Sequence, residues 1–146
     1  SDKKERRDVL EELKDETRTI VLYEAPHRLV KTLEELRETL GDRQVSVCRE
    51  LTKKHETVYR STLGEACTYY QSHEPRGECV LVIQAKSREE LRRQSQRKWE
   101  EMSLEEHMAY YTDQGVDRKE AMKKVAKDRG VSKREVYQAL LREERE

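Results

Sequence analysis

The sequence predicts an α/β domain followed by a small all-helical region. Up to about residue 85, short apolar or β-branched runs alternate with segments whose apolar residues recur every three or four positions. Beyond that point nearly every segment is charged and helical in pattern. Alternating strands and helices are typical of helices packed on a sheet, and the apolar segment Glu78–Gln84 is typical of a strand covered on both faces. We therefore expect a three-layer α/β domain over residues 1–86, a helical linker over 87–102 and a helix-turn-helix-like region over 103–146.

The segments of the α/β region follow from their period and from helix-start signals. Pro26 suits the first turn of a helix and keeps the preceding residue out of the helical conformation, so a strand and a helix meet there. Thr62 and Glu65 have the spacing of a capping box, which starts another helix. In chain order we expect a helix over Ser1–Glu16, a strand over Thr19–Tyr23, a helix from Pro26 to Gly41, strands over Gln44–Leu51 and Glu56–Ser61, a helix over Thr62–Ser72 and a strand over Glu78–Gln84.

The second region carries three helix-start signals and one turn signal. The starts lie at Ser103, Asp117 and Ser132, each followed three residues later by Glu. Between the last two, small and apolar residues have the spacing of a helix-turn-helix, namely Val125, Ala126, Gly130, Val136 and Ala139. Any three-helix bundle also needs a tight turn, so binding of nucleic acid by this region is one of two interpretations.

Composition narrows the class of protein. Lys and Arg total 31, as do Asp and Glu, so a nucleic-acid surface has to be a local patch. The longest apolar runs are far shorter than a membrane span and no charged-then-apolar leader opens the chain, so we expect a cytoplasmic protein without a membrane partner. The cysteines Cys48, Cys67 and Cys79 are odd in number and lack paired spacing, which favours reduced thiols and no metal site.

Three loops are candidates for a site because each borders a predicted strand end. They are Glu24–Arg28, Arg49–His55 and Pro75–Glu78, and we expect them to converge. Ligands of open α/β sheets bind at strand ends, beside helix amino termini. No glycine-rich phosphate loop, nucleophile elbow or metal-spaced histidine pair is present in the chain. The residues alone therefore indicate at most half of a binding site, with the other half outside these loops.

The same three loops resemble the tetrapyrrole methylase superfamily. The stretches that carry the resemblance are YEAPHRLVKTLEEL from Tyr23, CRELTKKHETVYRSTLGEA from Cys48 and EPRGECVLVI from Glu74, and the similarity extends over about Arg7 to Gln84. They are similar to the C-terminal half of members that methylate bacterial ribosomal RNA. This resemblance implies two α/β domains with S-adenosylmethionine between them, and transfer of a methyl group to the ribose 2′-hydroxyl of a cytidine in 16S RNA. The amino-terminal domain is absent, which implies a fragment that is inactive alone.

The resemblance also implies which residues border the cofactor. Backbone groups at these strand ends face the adenosine in the superfamily, which here corresponds to Glu24, Ala25, Pro26, Glu50, Leu51, Gly77 and Glu78. The alternative is that Glu24 and Glu50 are carboxylates of helix starts or turns. His27 and His55 have the residue type of a general base, but the sequence shows no partner for either, and a loop-anchoring role is the alternative. The catalytic residues stay unknown.

Basic residues in and near the matched loops are candidates for contact with RNA phosphates. They are Arg28, Arg49, Lys53, Lys54 and Arg60, together with Lys133 and Arg134 of the helical region. Solvated charge is the alternative for all of them. We therefore expect small-subunit ribosomal RNA as the partner, and the superfamily resemblance implies a possible homodimer. The competing hypothesis is a noncatalytic nucleic-acid-binding module whose α/β part only dimerises.

Overall fold

The computed structural model describes residues 2–146, which divide into two compact units. The first unit ends at Ser87 and the second is Arg88–Glu146. Ser1, where the first predicted helix and the predicted 1–86 domain begin, lies outside the described residues. The segment predicted as a linker over 87–102 forms a helix that groups with the second unit.

The first unit is a four-stranded antiparallel sheet with helices, which confirms the α/β class. The strand order is β1-β4-β2-β3, so the strand predicted over Glu56–Ser61 does lie at an edge. A short 3-10 helix over Pro26–Arg28 precedes the second helix. The elements are α1 (Asp2–Leu13), β1 (Ile20–Glu24), α2 (Leu29–Leu40), β2 (Gln44–Arg49), β3 (Thr57–Thr62), α3 (Leu63–Ser72) and β4 (Cys79–Ile83).

One face of the sheet and the apolar sides of α2 and α3 form the core of this unit. On the sheet, alternate residues point into this core, so β4 buries Cys79, Leu81 and Ile83. The helices contribute Leu29, Leu33, Leu36, Leu40, Leu63, Ala66, Cys67 and Tyr70. The reciprocal capping box of Thr62 and Glu65 is present, as predicted, and it fixes the start of α3.

The other face of the sheet corrects the expectation of a strand covered on both sides. In β4, Val80 and Val82 are only half-buried, and on the two edge strands, β1 and β3, Val21 and Val58 are 53% and 39% exposed. Tyr23 is 81% exposed. The apolar run in β4 arises because this strand lies centrally between β1 and β2, where neighbouring strands shield it. Among the described residues of this unit the helices pack on one face, which gives two layers rather than three.

The second unit consists of helices whose starts carry the predicted caps. Ser103 and Ser132 form reciprocal capping boxes, and the Asp117 side chain accepts a hydrogen bond from the Glu120 amide. The helices are α4 (Arg88–Glu100), α5 (Leu104–Thr112), α6 (Arg118–Arg129) and α7 (Lys133–Glu143). In the described part of the chain, no helix has the length and apolar character needed to cross a membrane.

Helices α6 and α7 form the predicted helix-turn-helix arrangement. Gly130 ends α6 with φ of 66°, a left-handed conformation that favours glycine. Val125, Ala126 and Val136 are buried where the two helices meet, and Ala139 is half-buried. The turn signal in the sequence is therefore confirmed.

A buried polar cluster joins three helices of the second unit. His107 is fully buried, and its Nε2 lies 2.9 Å from Asp128 Oδ2 while its Nδ1 accepts from Arg129 Nε at 2.9 Å. Arg129 also donates to the carbonyl oxygens of Trp99 and Met102. Because Arg129 donates to Nδ1, the proton of the neutral His107 ring is on Nε2. Each buried polar group of the cluster thus has a partner.

Candidate functional site

The three predicted loops meet at one edge of the sheet. Glu24, the last residue of β1, pairs with Cys79 at the start of β4, and Cys79 pairs in turn with Arg49 at the end of β2. Because β4 runs antiparallel to both neighbours, its start lies beside both of their ends. The loops that follow Glu24 and Arg49 and the loop that precedes Cys79 therefore share this edge, which we call the loop edge.

In the first loop, the Glu24 carboxylate is committed to local contacts. It accepts hydrogen bonds from the Ala25 amide at 2.9 Å and from Thr32 Oγ1 at 2.6 Å, and Arg6 lies 3.6 Å away. Burial opposes ionisation of this carboxyl, but the bonds from Thr32 and Ala25 and the Arg6 charge lower the Glu24 pKa overall. The side chain thus holds the loop, and the backbone of Glu24, Ala25 and Pro26 forms the edge itself.

The second loop has a strained backbone. Glu50 has φ of 52° and Thr52 has φ of 64°, so two residues with side chains occupy the left-handed region. Such strain persists where the surrounding structure imposes it, and it concentrates at functional sites. Between them, Leu51 leaves 38% of its surface exposed. Lys53 lies 3.2 Å from the Glu50 carboxylate, which makes this carboxylate a turn partner as well.

The third loop is locked against the second at Gly77. Gly77 has φ of 73°, and a Cβ atom at this position would lie 1.5 Å from Oε1 of Glu50. Only a residue without a side chain permits this approach, because the Glu50 carboxylate occupies the space. The next residue, Glu78, is exposed at the start of β4. The structure thus brings Glu50 and Gly77, two of the residues predicted to border a cofactor, into direct contact.

Arg49 lies beneath these loops and has an unpaired buried nitrogen. Its Nη1 donates to the carbonyl oxygen of Arg76 at 3.4 Å, whereas its Nε is buried without a hydrogen-bond partner among residues 2–146. Burial raises the pKa of the Cys79 thiol and of the Tyr70 hydroxyl, and the positive charge of Arg49 opposes both shifts. A buried donor without a protein acceptor is uncommon in folded proteins, and such groups are often satisfied by an ordered water.

The predicted RNA-contacting residues differ in their surroundings. Arg28, Lys54, Arg60 and Arg134 are exposed, whereas Arg49 and Lys133 are half-buried. Lys53 is exposed but paired with Glu50. Arg49, Lys53 and Lys54 share the second loop; Arg60 follows later on the edge strand β3, and Lys133 and Arg134 begin α7 of the second unit.

The two candidate histidines have no orienting partner. His27 and His55 are both exposed, and neither side chain makes a hydrogen bond or ion pair in the described part of the chain. A general base needs such a partner or a bound substrate to fix its ring. Among the described residues, no three His, Cys, Asp or Glu side chains are grouped to hold a metal ion.

Sequence reasoning missed the residues that support the first loop. Arg6 on α1 donates to Glu35 at 2.6 Å and to Thr32 at 2.6 Å, and Thr32 donates to Glu24. Helix α1 is thereby tied through α2 to the loop edge. The partners lie 26 and 29 residues apart in sequence, so no local spacing pattern signals them.

Comparison with known proteins identifies the family. A family model described as tetrapyrrole (corrin/porphyrin) methylases matches residues 1–67. Over 137 residues the chain is 46% identical to ribosomal RNA small subunit methyltransferase I of Bacillus subtilis, which covers 94% of this chain and 47% of the relative. The chain belongs to the tetrapyrrole methylase family. The resemblance found in the three loop sequences is thus confirmed.

Two further relatives of this chain carry the same name. The protein of Halalkalibacterium halodurans is 42% identical over 135 residues, covering 92% of this chain and 46% of the relative. That of Synechocystis is 37% identical over 137 residues, covering 93% of this chain and 47% of the relative. The chain therefore spans about half the length of the curated relatives it matches. The family model reaches the first two loops and ends at residue 67, before the Gly77 loop.

Proposed function

We propose that this chain is the C-terminal half of an S-adenosylmethionine-dependent methyltransferase that methylates the ribose 2′-hydroxyl of a cytidine in 16S ribosomal RNA. The observation that carries the proposal is the meeting of three loops at one sheet edge, in a chain whose relatives are named ribosomal RNA small subunit methyltransferase I. Loops that a rigid sheet holds together commonly carry the binding residues of a protein. This chain covers about half of each relative's length, so its RNA substrate and its cofactor are part of what we propose.

The loop edge has features that fit one wall of a cofactor cleft. Leu51 offers an exposed apolar side chain on a loop with two strained residues, which suits the flat face of an adenine ring. We assign the adenosine wall to backbone and side-chain groups of Glu24, Ala25, Pro26, Glu50, Leu51, Gly77 and Glu78.

Bound S-adenosylmethionine would supply an electrophilic methyl group on its sulfonium sulfur. The contribution of the protein to such a displacement is to hold the cofactor and the ribose hydroxyl in line. In this chain the Glu24 carboxylate fixes the first loop through Ala25 and Thr32, and Gly77 allows the Glu50 carboxylate to lock the other two loops together. These contacts preorganise the wall before the cofactor arrives.

Exposed cations beside the loop edge would receive the RNA. Arg28 ends the 3-10 helix of the first loop, and Lys54 lies on the second loop without an ion-pair partner in the described residues. Cations of this kind position a nucleic acid through its phosphates. We include Arg49, Lys53 and Arg60 in this surface, and Lys133 and Arg134 of α7 as a second surface for the same RNA.

Methyl transfer by the full-length parent protein tests this proposal. The parent and the present chain are incubated with small ribosomal subunits and S-adenosylmethionine labelled in its methyl group, and the RNA is then digested to nucleosides. We expect labelled 2′-O-methylcytidine with the parent and no transfer with this chain alone. Label on a base, or no transfer by the parent, would contradict the proposed reaction.

A pair of matched substitutions tests the cofactor wall. Leu51 and Val58 are exposed to nearly the same extent, 38% and 39%, but only Leu51 lies on the loop edge. In the parent protein, Leu51→Thr should raise the KM for S-adenosylmethionine several-fold because an apolar contact with the adenine is lost. Val58→Thr should leave this KM unchanged. Equal effects of both substitutions on this KM would show that Leu51 is not part of the cofactor wall.

A further inference from the structure

Helices α1 and α2 enclose an open groove. Of the residues that line it, only Arg28 has been considered so far as an RNA contact. Its lining is strongly charged and contains no aromatic ring: Asp2, Lys3, Arg6, Arg7, Leu10, Arg28, Lys31, Glu35, Glu38 and Thr39. Five of these residues are cations and three are anions. We propose that this groove binds the phosphate backbone of the substrate RNA, an inference that rests on the proposed function.

The groove has a fixed shape because Arg6 ties its two walls together. From α1, Arg6 Nε donates to Glu35 at 2.6 Å and Nη2 donates to Thr32 at 2.6 Å, both on α2. Arg6 also lies 3.6 Å from Glu24 at the loop edge. The charge of Arg6 is thereby compensated by Glu35 and Glu24, and so Arg6 acts as a structural clamp rather than as a phosphate contact.

The remaining cations of the groove are uncompensated by direct contact. No ion pair or side-chain hydrogen bond to them is present in the described residues, and they are Lys3, Arg7, Arg28 and Lys31. Lys3 and Arg7 are one helical turn apart on one wall, and Lys31 lies on the opposite wall. With Glu35 engaged by Arg6, four such cations face two carboxylates, those of Asp2 and Glu38. Cations arranged on two facing walls suit a run of phosphates.

The composition and position of the groove indicate the backbone of a nucleic acid rather than its bases. Recognition of a splayed base commonly uses an aromatic platform, and the lining has none. Arg28 belongs both to this groove and to the first loop, where it ends the short 3-10 helix that begins at Pro26. A strand of RNA held along α1 and α2 would therefore pass into the loop edge, where the proposed cofactor wall lies.

Matched charge reversals in this chain test the groove. Arg7→Glu with Lys31→Glu changes two lining residues, whereas Lys4→Glu with Lys14→Glu changes two exposed lysines of the same unit that do not line it. Both double variants alter the net charge equally. Binding of a fluorescein-labelled single-stranded RNA is followed by anisotropy over a range of salt concentrations, and circular dichroism checks that each variant folds.

We expect the groove variant to lose at least about tenfold in affinity, with a salt dependence shallower by about one to two counterions, because two phosphate contacts are removed. The control should retain the affinity and salt dependence of the unchanged chain. The proposal that the groove binds RNA would be overturned by an equal loss of affinity in both variants, by no loss in either, or by no RNA binding by the unchanged chain. Methyl transfer by the parent separates the two proposals: transfer unaffected by R7E/K31E rejects the groove alone, whereas RNA binding without any transfer rejects the proposed reaction alone.

Discussion

The helical unit and the α/β unit differ in how completely their buried polar groups are satisfied. In the helical unit, both ring nitrogens of the buried His107 have partners, and Arg129 donates to His107 and to two backbone carbonyls. In the α/β unit, Arg49 Nε is buried without an acceptor in the described chain, and Glu50 and Thr52 hold left-handed conformations. Backbone strain of this kind concentrates at functional sites. The difference therefore supports the α/β unit as the part of the chain that carries the proposed ligand site.

The largest loss of stability should follow from opening the closed polar cluster. Arg129→Met leaves His107 Nδ1 and the Met102 carbonyl without the donor that Arg129 supplies, and the Trp99 carbonyl keeps only the Met102 amide, so we expect the helical unit to lose about 3 kcal/mol. Lys127→Met, on the exposed side of the same helix, should change stability by less than about 0.5 kcal/mol. Chemical denaturation of both variants measures this. A similar small effect for both would mean that the cluster is not closed in solution.

Gly130 should be the next most sensitive position. Gly130→Val forces a β-branched residue into the left-handed region and places its Cβ 2.4 Å from Nε2 of Gln96, so we expect a loss of about 2 kcal/mol or more. Gly115 has φ of 88° with open space around it, so Gly115→Val incurs only the conformational cost. Thermal melting should rank Gly130→Val below Gly115→Val. The reverse order would contradict the packed turn between α6 and α7.

At the loop edge a glycine substitution should affect binding more than stability. In the parent, Gly77→Ala displaces the Glu50 carboxylate and unlocks two loops, so we expect a several-fold higher KM for S-adenosylmethionine, with a stability loss of about 1–2 kcal/mol. Gly41→Ala is the control, because Gly41 also has a positive φ, 85°, but its surroundings are open. If both variants change this KM alike, the contact between Glu50 and Gly77 does not organise the edge.

A smaller effect is expected from the helix caps. Ser132→Ala removes the acceptor for the Glu135 amide at the start of α7 and should destabilise the helical unit by about 1 kcal/mol. Ser132→Asn keeps an oxygen at the cap and should restore most of this loss. Denaturation midpoints of the two variants measure the difference. Equal midpoints would show that the cap at α7 is already frayed.

The smallest predicted effect is a pH dependence of the helical unit. Burial lowers the pKa of His107 against the opposing influence of Asp128, so the folded chain holds a neutral ring where the unfolded chain takes up a proton. The contribution of His107 to the stability of the fold is therefore fully present above the ordinary histidine pKa of about 6.5, and it decreases as pH falls below this value. Melting at several pH values compares the chain with His107→Gln. An unchanged pH slope in that variant would exclude His107 as the source.

Local signals predicted much of this fold, while contacts between distant residues were beyond them. The caps at Thr62, Ser103 and Ser132 and the turn at Gly130 depend on neighbours within four residues, and each was predicted correctly. The apolar run of β4 led to the wrong prediction of a strand covered by helices on both faces, because a central strand is shielded by its neighbours as well as by helices. Segment order and strand ends were enough to predict that three loops meet.

The candidate site was less predictable because its supports are nonlocal. The bonds from Arg6 to Thr32 and Glu35 span 26 and 29 residues, and the approach of Glu50 to Gly77 joins two loops across β3 and α3. The left-handed conformations of Glu50 and Thr52 are imposed by these surroundings, since neither residue type favours them. Whether the predicted cofactor and RNA residues bind their ligands remains a prediction for experiment.

Calorimetric titration of S-adenosylmethionine into this chain and into the full-length parent tests the central claim most directly. We expect saturable heat with the parent and weak or no heat with this chain, because this chain would supply only one wall of the proposed cofactor cleft. Leu51→Thr in the parent should weaken the binding that is measured there. Submicromolar binding by this chain alone, or a parent that binds no cofactor, would contradict the account.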